Sequence, residues 1–285
     1  MNQAVPPISS PVGIIAGSGT LPFAVADSLA ARGIATVIFA LNGFCDRERV
    51  GPYRHRWIPF GKAGTLVRGL REEGCRDVVF IGGLVRPAIS ELGLDLKTLM
   101  IIPKLIAAFR GGDNHLLTGV GRLFEEHGFR MRGLLEVAPD LLMPDGAITR
   151  SSPTKREIDD IAKGREVLAA MSAFDAGQGV VVIDGHVVAL EDIEGTDALL
   201  DRVTRLRQQG RIRVGGGRGV LVKAPKTTQD LRFDLPALGA RTVEGVARAE
   251  LSGIAVVAGR TVMAEPQAMI EAADKAGVFI VGVPA

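Results

Sequence analysis

Short apolar runs alternate with segments of helical periodicity through the first half of the chain, and that alternation confines it to an α/β sheet crossed by helices. Val12 to Ala16, Ala35 to Ala40, Arg56 to Pro59 and Val78 to Ile81 read as strands. Between them, Leu21 to Ala31 and Lys62 to Glu73 repeat apolar residues at intervals of three and four, so each helix can lay one face on the sheet. The expected topology is doubly wound and Rossmann-like. Leu96 to Arg110 reads as a further helix, which leads through Gly111, Gly112 and Asp113 into another that ends near Gly128. Asp113 is placed to cap that second helix.

With 285 residues, the chain has room for two ordinary domains. The composition turns polar over Thr149 to Lys155, including Ser151, Ser152 and Pro153, before Ile158, Ile161, Val167 and Leu168 resume a helical pattern. Domains are therefore expected at 1–150 and 151–285. A faint repeat marks the second: Gly179, Val182, Gly185, Val188 and Glu191 match Gly253, Val256, Gly259, Val262 and Glu265. Each copy carries two apolar runs around a glycine turn, Asp184-Gly185 or Ala258-Gly259, and then a helical stretch. The second domain is expected to be mixed α+β, built on two hairpin–helix units.

Composition narrows the partners. The formal net charge is only +2 with the basic residues scattered, and one Trp and one Tyr offer no stacking platform, so nucleic acid is a poor ligand. Cys45 and Cys75 lie in a chain whose first residues, Met1 to Pro11, lack the basic and apolar regions of a secretory signal, which points to the reducing cytoplasm. No apolar stretch reaches the roughly 18 residues of a spanning helix, so any membrane contact is expected to be transient and peripheral. His55, His115, His127 and His186 share no metal-ligand spacing, and no serine sits in a Gly-x-Ser-x-Gly elbow. A zinc site or a serine hydrolase is not indicated.

Two segments suggest phosphate chemistry. Gly17-Ser18-Gly19-Thr20 carries the first strand into its helix, where backbone N–H groups and the helix dipole favour an anion. The same turn serves equally as a plain tight βα connection. Pro22 replaces the third glycine of a dinucleotide fingerprint, and the first acid beyond the second strand, Asp46, lies later than that fingerprint expects, which weakens a nicotinamide reading. Farther on, Asp230 to Leu235, if extended, would send Asp230, Arg232 and Asp234 to one face and Leu231, Phe233 and Leu235 to the other. With Lys223 and Lys226 nearby, that face suits a diphosphate and Mg²⁺. A solvated edge strand with surface ion pairs would show the same pattern. Gly195, Thr196 and Asp197 open another helix, where Thr196 or Asp197 could cap and the N–H groups could meet phosphate.

Taken in order, Ile14 through Pro22, Gly83-Leu84-Val85-Arg86-Pro87, Gly112-Asp113-Asn114, Leu142-Met143-Pro144, Glu194-Gly195-Thr196-Asp197 and Lys223 through Pro236 resemble the LpxI family of UDP-2,3-diacylglucosamine pyrophosphatases over nearly the whole chain. The resemblance implies a Mg²⁺-dependent hydrolysis in lipid A synthesis, in a Gram-negative cytoplasm, that yields UMP and 2,3-diacylglucosamine 1-phosphate (lipid X) from a ligand lodged between two domains. Asp230 would bind Mg²⁺ or position the attacking water, Gln229 and Asp234 would orient that shell, and Lys223, Lys226 and Arg232 would stabilise the diphosphate. Asp113 would be a further metal ligand. Gly17, Ser18, Gly19, Thr20, Asn114, Gly195, Thr196 and Asp197 would contact substrate. Thr227-Thr228 stand where the family often has Pro-Gly, and Asn114 where a second acid is frequent. Two rivals share some of these features, a glycolipid carrier without catalysis and a nucleotide-cofactor oxidoreductase; self-association into a homodimer is left open.

Overall fold

The computed structural model describes residues 7–83, 113–174, 176–213, 216–226, 230–233 and 235–285, with the side chains of 113–118 outside the description. The chain divides into two compact units: residues 1–139 with 232–234, and residues 140–231 with 235–285.

The first unit is built on five strands, β1 (Val12–Ala16), β2 (Thr36–Leu41), β3 (His55–Ile58), β4 (Asp77–Ile81) and β5 (Arg130–Met131), in the order β3-β2-β1-β4-β5. Every pairing is parallel. All five residues of β1 are buried, as a central parallel strand covered on both faces requires. The four strands read from the sequence land within one residue at each end. Helix α1 (Leu21–Ala31) carries Pro22 in its first turn, where no N–H is needed. A short α2 (Arg47–Val50) is capped by Asp46, whose Oδ1 accepts from the N–H groups of Glu48 at 2.9 Å and Arg49 at 3.1 Å. Asp46 therefore has a local structural task.

Helix α3 (Ala63–Glu72) buries Leu66, Val67 and Leu70, and Leu70 reaches β1 because Gly13 leaves room for it. Any Cβ at Gly13 would lie 2.5 Å from Leu70 Cδ2. Helix α4 (Asp113–Glu126) leads to β5, and its Phe124 joins Phe39, Val78 and Phe129 in the core. A short α5 (Leu134–Val137) follows. The helix expected at Leu96 to Arg110 lies outside the described residues.

In the second unit a six-stranded sheet runs in the order β6-β13-β11-β9-β7-β8. Its members are β6 (Gly146–Ala147), β7 (Gly179–Ile183), β8 (His186–Leu190), β9 (Val220–Lys223), β11 (Gly253–Val257) and β13 (Phe279–Val283). β9, β11 and β13 are parallel, whereas β6, β7 and β8 pair antiparallel. The two-residue alternation is visible in the packing. Val180, Val182, Val220 and Val222 cluster with Ile161 and Leu168 of α6 (Lys155–Met171). Val181, Ile183 and Leu221 join residues of α7 (Gly195–Gln208), α8 (Ala240–Arg248) and α9 (Pro266–Ala276). The result is a mixed α/β layer arrangement.

The first copy of the repeat is a true hairpin with its helix. Asp184 at φ 49° and Gly185 at φ 74° form a two-residue turn with both central residues left-handed, the twist that tight hairpins favour. The second copy keeps strand, glycine turn, short strand and helix, but β12 (Val262–Met263) pairs in parallel with β10 (Ala237–Leu238) instead of folding back on β11. β11 already has β9 and β13 on its two edges, so no edge is left for a hairpin partner. Contacts also divide the chain earlier than the polar stretch at 150/151 does, because Gly146 and Ala147 add an edge strand to the second sheet.

Candidate functional site

In the first unit the carboxyl end of β1 lies at the point where strand order reverses, between β2 on one side and β4 on the other, the place where open α/β sheets bind ligands. Gly17 donates its N–H to the Ile81 carbonyl at 2.8 Å and Ser18 to the Gly83 carbonyl at 2.9 Å. The Ser18 hydroxyl donates to the Gly83 carbonyl at 3.0 Å. Of the expected phosphate-holding turn, Gly17 and Ser18 are thus laced to the end of β4, and the N–H groups of Gly19, Thr20 and Leu21 are the ones with no acceptor among the described residues. Gly19 sits at φ 95°, a conformation that suits glycine.

Gly17 is required by space. A Cβ there would lie 2.5 Å from the Gly83 carbonyl oxygen and 3.0 Å from the Gly82 carbonyl carbon, both backbone atoms that cannot swing aside. Gly17→Ala is expected to cost about 1–3 kcal/mol through this overpacking. Urea unfolding checks it, and an unchanged midpoint would show that the β1–β4 junction yields freely.

The second unit gathers charge at the carboxyl end of β9. Lys223 ends that strand and is buried with 6% of its surface exposed. Its Nζ donates to the Thr196 hydroxyl at 2.5 Å, and that hydroxyl donates to Glu191 Oε2 at 3.0 Å. Lys223 Nζ and Glu191 Oε2 are 3.8 Å apart. Asp197 accepts from Arg241 at 2.8 Å. Burial pushes the Lys223 ammonium below its ordinary pKa, opposed by the negative charges of Glu191 and Asp197. The sequence places Lys223, Thr196 and Asp197 among the site residues, and the fold brings them together. Neither Thr196 nor Asp197 caps α7; the N-cap is Glu194, without a side-chain cap bond.

Glu191 is the member that sequence reasoning missed. Its one signal is the repeat, in which it is the last matched position of the first copy. That position lies just beyond β8 and beside Gly179, the residue paired with Lys223 across the β7–β9 ladder.

The described part of the Asp230 to Leu235 segment is not an extended strand. β9 ends at Lys223, and Leu231 to Phe233 form a turn. Arg232 and Phe233 belong to the first unit: Arg232 Nη1 donates to Glu125 Oε1 at 2.8 Å, and the Phe233 ring sits 6.4 Å from that of Phe80. Alternation between two faces fails because Phe233 is anchored in an aromatic cluster that a free edge strand would not have. Asp230 and Lys226 are half-buried in the second unit. Gln229 and Asp234 lie outside the described residues, as do the side chains of Asp113 and Asn114. Three histidines are tied to backbone carbonyls through Nδ1: His55 to Tyr53, His127 to Leu123 and His186 to Asp184.

These features define a two-unit α/β protein: a Rossmann-like parallel sheet with a glycine turn at its switch point, and a mixed sheet carrying a buried lysine between carboxylates. Family models described as the LpxI N-terminal domain and the LpxI C-terminal domain match residues 11–141 and 144–281. The UDP-2,3-diacylglucosamine pyrophosphatase LpxI of Caulobacter vibrioides (strain ATCC 19089 / CIP 103742 / CB 15) is 40% identical over 272 residues, 95% of this chain and 97% of that protein. The chain belongs to the LpxI family. Among solved structures, the UDP-glucose 4-epimerase of Thermus thermophilus in complex with NAD aligns at 14% identity over 96% of this chain and 86% of that one, with a TM-score of 0.29, too low to bear on the fold.

Proposed function

We propose that this chain hydrolyses the diphosphate bond of UDP-2,3-diacylglucosamine to UMP and 2,3-diacylglucosamine 1-phosphate. The name of the Caulobacter relative, which matches across both units, supports the substrate. The observation that carries the chemistry is Lys223: a buried ammonium is expensive unless it is paired, and here it is held at a strand's carboxyl end by Thr196 and two carboxylates. In this reading Lys223 and Lys226 neutralise phosphoryl oxygens as water adds to one phosphorus and the bridging oxygen departs with the other. Within the first unit, the N–H groups at Gly19 to Leu21 suit an anion on their own account. Arg232, engaged by Glu125, fixes the turn that follows Asp230.

Magnesium dependence belongs to the same proposal. Asp230 offers the hard carboxylate oxygen that Mg²⁺ takes. Bound there, Mg²⁺ would supply charge neutralisation at the phosphoryl oxygens. Asp113 is the second proposed ligand, with Gln229 and Asp234 orienting the attacking water. Among the described residues no helix is long and apolar enough to cross a membrane, and the acyl chains of the proposed substrate call for transient surface contact instead.

Incubation of the purified protein with UDP-2,3-diacylglucosamine, followed by ³¹P NMR, tests the reading. The diphosphate resonances should give way to two monophosphates, in a reaction that EDTA stops and Mg²⁺ restores. Binding of the substrate with the diphosphate intact would favour the carrier.

A further inference from the structure

We propose that Glu191 is the positioning residue of the lysine site: its carboxylate fixes the Thr196 hydroxyl and, through it, the Lys223 ammonium that meets the diphosphate. This rests on the hydrolase reading given above. The donors run in one direction, from Lys223 Nζ to Thr196 Oγ1 and from Thr196 Oγ1 to Glu191 Oε2. A chain of this kind has a defined order only while its last member is an acceptor alone, which an ionised carboxylate is and an amide or an acid is not.

The slot that holds Glu191 is built from glycine. A Cβ at Gly179 would lie 2.4 Å from Glu191 Oε2, and one at Gly177 would lie 2.2 Å from the Glu191 carbonyl oxygen. Gly179 also faces Lys223 across the ladder, so the same missing side chain admits the carboxylate beside the lysine. Among the described residues, the charged groups acting on Lys223 are Glu191 after β8 and Asp197 on α7. Asp197 shares its charge with Arg241 of α8 at 2.8 Å, whereas the side-chain bonds of Glu191 among the described residues go to Thr196 and Lys223. Glu191 is therefore the carboxylate that keeps the ammonium charged in a place where burial disfavours it.

The test separates positioning from simple support. In Glu191→Gln, the ¹³Cε resonance of Lys223, labelled on lysine and assigned by its loss in Lys223→Arg, should titrate about one pH unit or more below its midpoint in the unaltered protein. The alkaline limb of the kcat profile should move down with it, kcat falling more on that limb than on the acid side, while KM changes by less than about threefold. Glu191→Asp, which keeps the charge, should recover most of the midpoint and the limb, and it serves as the test variant if the glutamine form does not fold. An unmoved Lys223 midpoint in a folded variant overturns the proposal, as does a uniform loss of activity at all pH values. Failure of the hydrolase reading is distinct: the unaltered protein would then show no turnover while the titration still reports on Glu191.

Discussion

Asp230→Ala should lower the rate of UMP release about 10²–10⁴-fold, the range for losing a group that acts on the reacting centre, and leave the fold in place. Asp230 lies in the connection between β9 and β10, outside any strand ladder, and it is half-buried. Its replacement opens no cavity in either unit's apolar core, so the chain should still unfold in a cooperative thermal transition. Substrate binding should survive as well, since Lys223 and Lys226 are untouched. Asp192→Ala makes the control: that carboxylate sits on an exposed loop of the same unit, 3.5 Å from Arg202, and its loss should leave turnover intact. The comparison is made by following UMP at saturating substrate and Mg²⁺. Full activity in the Asp230 variant would remove this residue from the mechanism.

The largest expected effect on stability lies at the other end of the first sheet. Asp77 is fully buried and accepts from Arg130 Nε at 2.9 Å, Arg130 Nη2 at 2.8 Å, Arg132 Nε at 2.7 Å and the Ser9 N–H. Arg132 is itself 3% exposed and reaches Glu136 at 2.8 Å. Asp77→Ala takes a buried carboxylate away from the Arg132 guanidinium, which keeps Glu136 and the Pro7 carbonyl, and should cost about 3–5 kcal/mol.

The acid dependence of stability should change with it. Burial alone would push the Asp77 carboxyl up, but the hydrogen bonds from Ser9, Arg132 and Arg130 and the Arg132 charge outweigh it and hold it below the ordinary carboxylate range. A carboxyl lowered on folding contributes stability that is complete above its unfolded pKa of about 3.9 and disappears as pH falls toward the folded value. Asp77→Asn keeps the shape and removes the titration, so its stability should fall less steeply below about pH 4 than that of the unaltered protein. Urea melts from pH 7 down to pH 3 give the comparison. Equal acid slopes would mean that other carboxylates govern acid unfolding.

How much was legible follows from where each signal resides. β1, β2 and β4 announced themselves because a buried parallel strand is a continuous apolar run, and α3 because Leu66, Val67 and Leu70 recur on one face. β5, β6, β10 and β12 have only two residues each, too few for any period to register; β5 and β6 exist because longer neighbours offer them an edge, and β10 and β12 pair with each other. The alternation of Asp230 to Leu235 misled for a related reason. Six residues of alternating polarity fit a strand, but they fit equally a turn whose Phe233 finds an aromatic cluster and whose Arg232 finds Glu125, partners far away in sequence. Lys223, Thr196 and Asp197 could be nominated one by one, the lysine because its charge suits phosphate and the other two because they open a helix whose N–H groups could meet one. Glu191 could not, since its part depends on a glycine slot and a ladder register that appear only when β7, β8 and β9 are assembled.

The aromatic anchor bears on how this protein can be dissected. Because 232–234 count with the first unit, the chain changes units at three points, after Pro139, Leu231 and Asp234. A fragment stopping at residue 139 would lack the Phe233 ring, which lies where a Cβ on Gly121 would meet it at 2.2 Å, and Phe80 would lose its neighbour there. Chimaeras that exchange amino-terminal halves between relatives would have to carry this tripeptide along, or graft a foreign plug into a notch shaped for another.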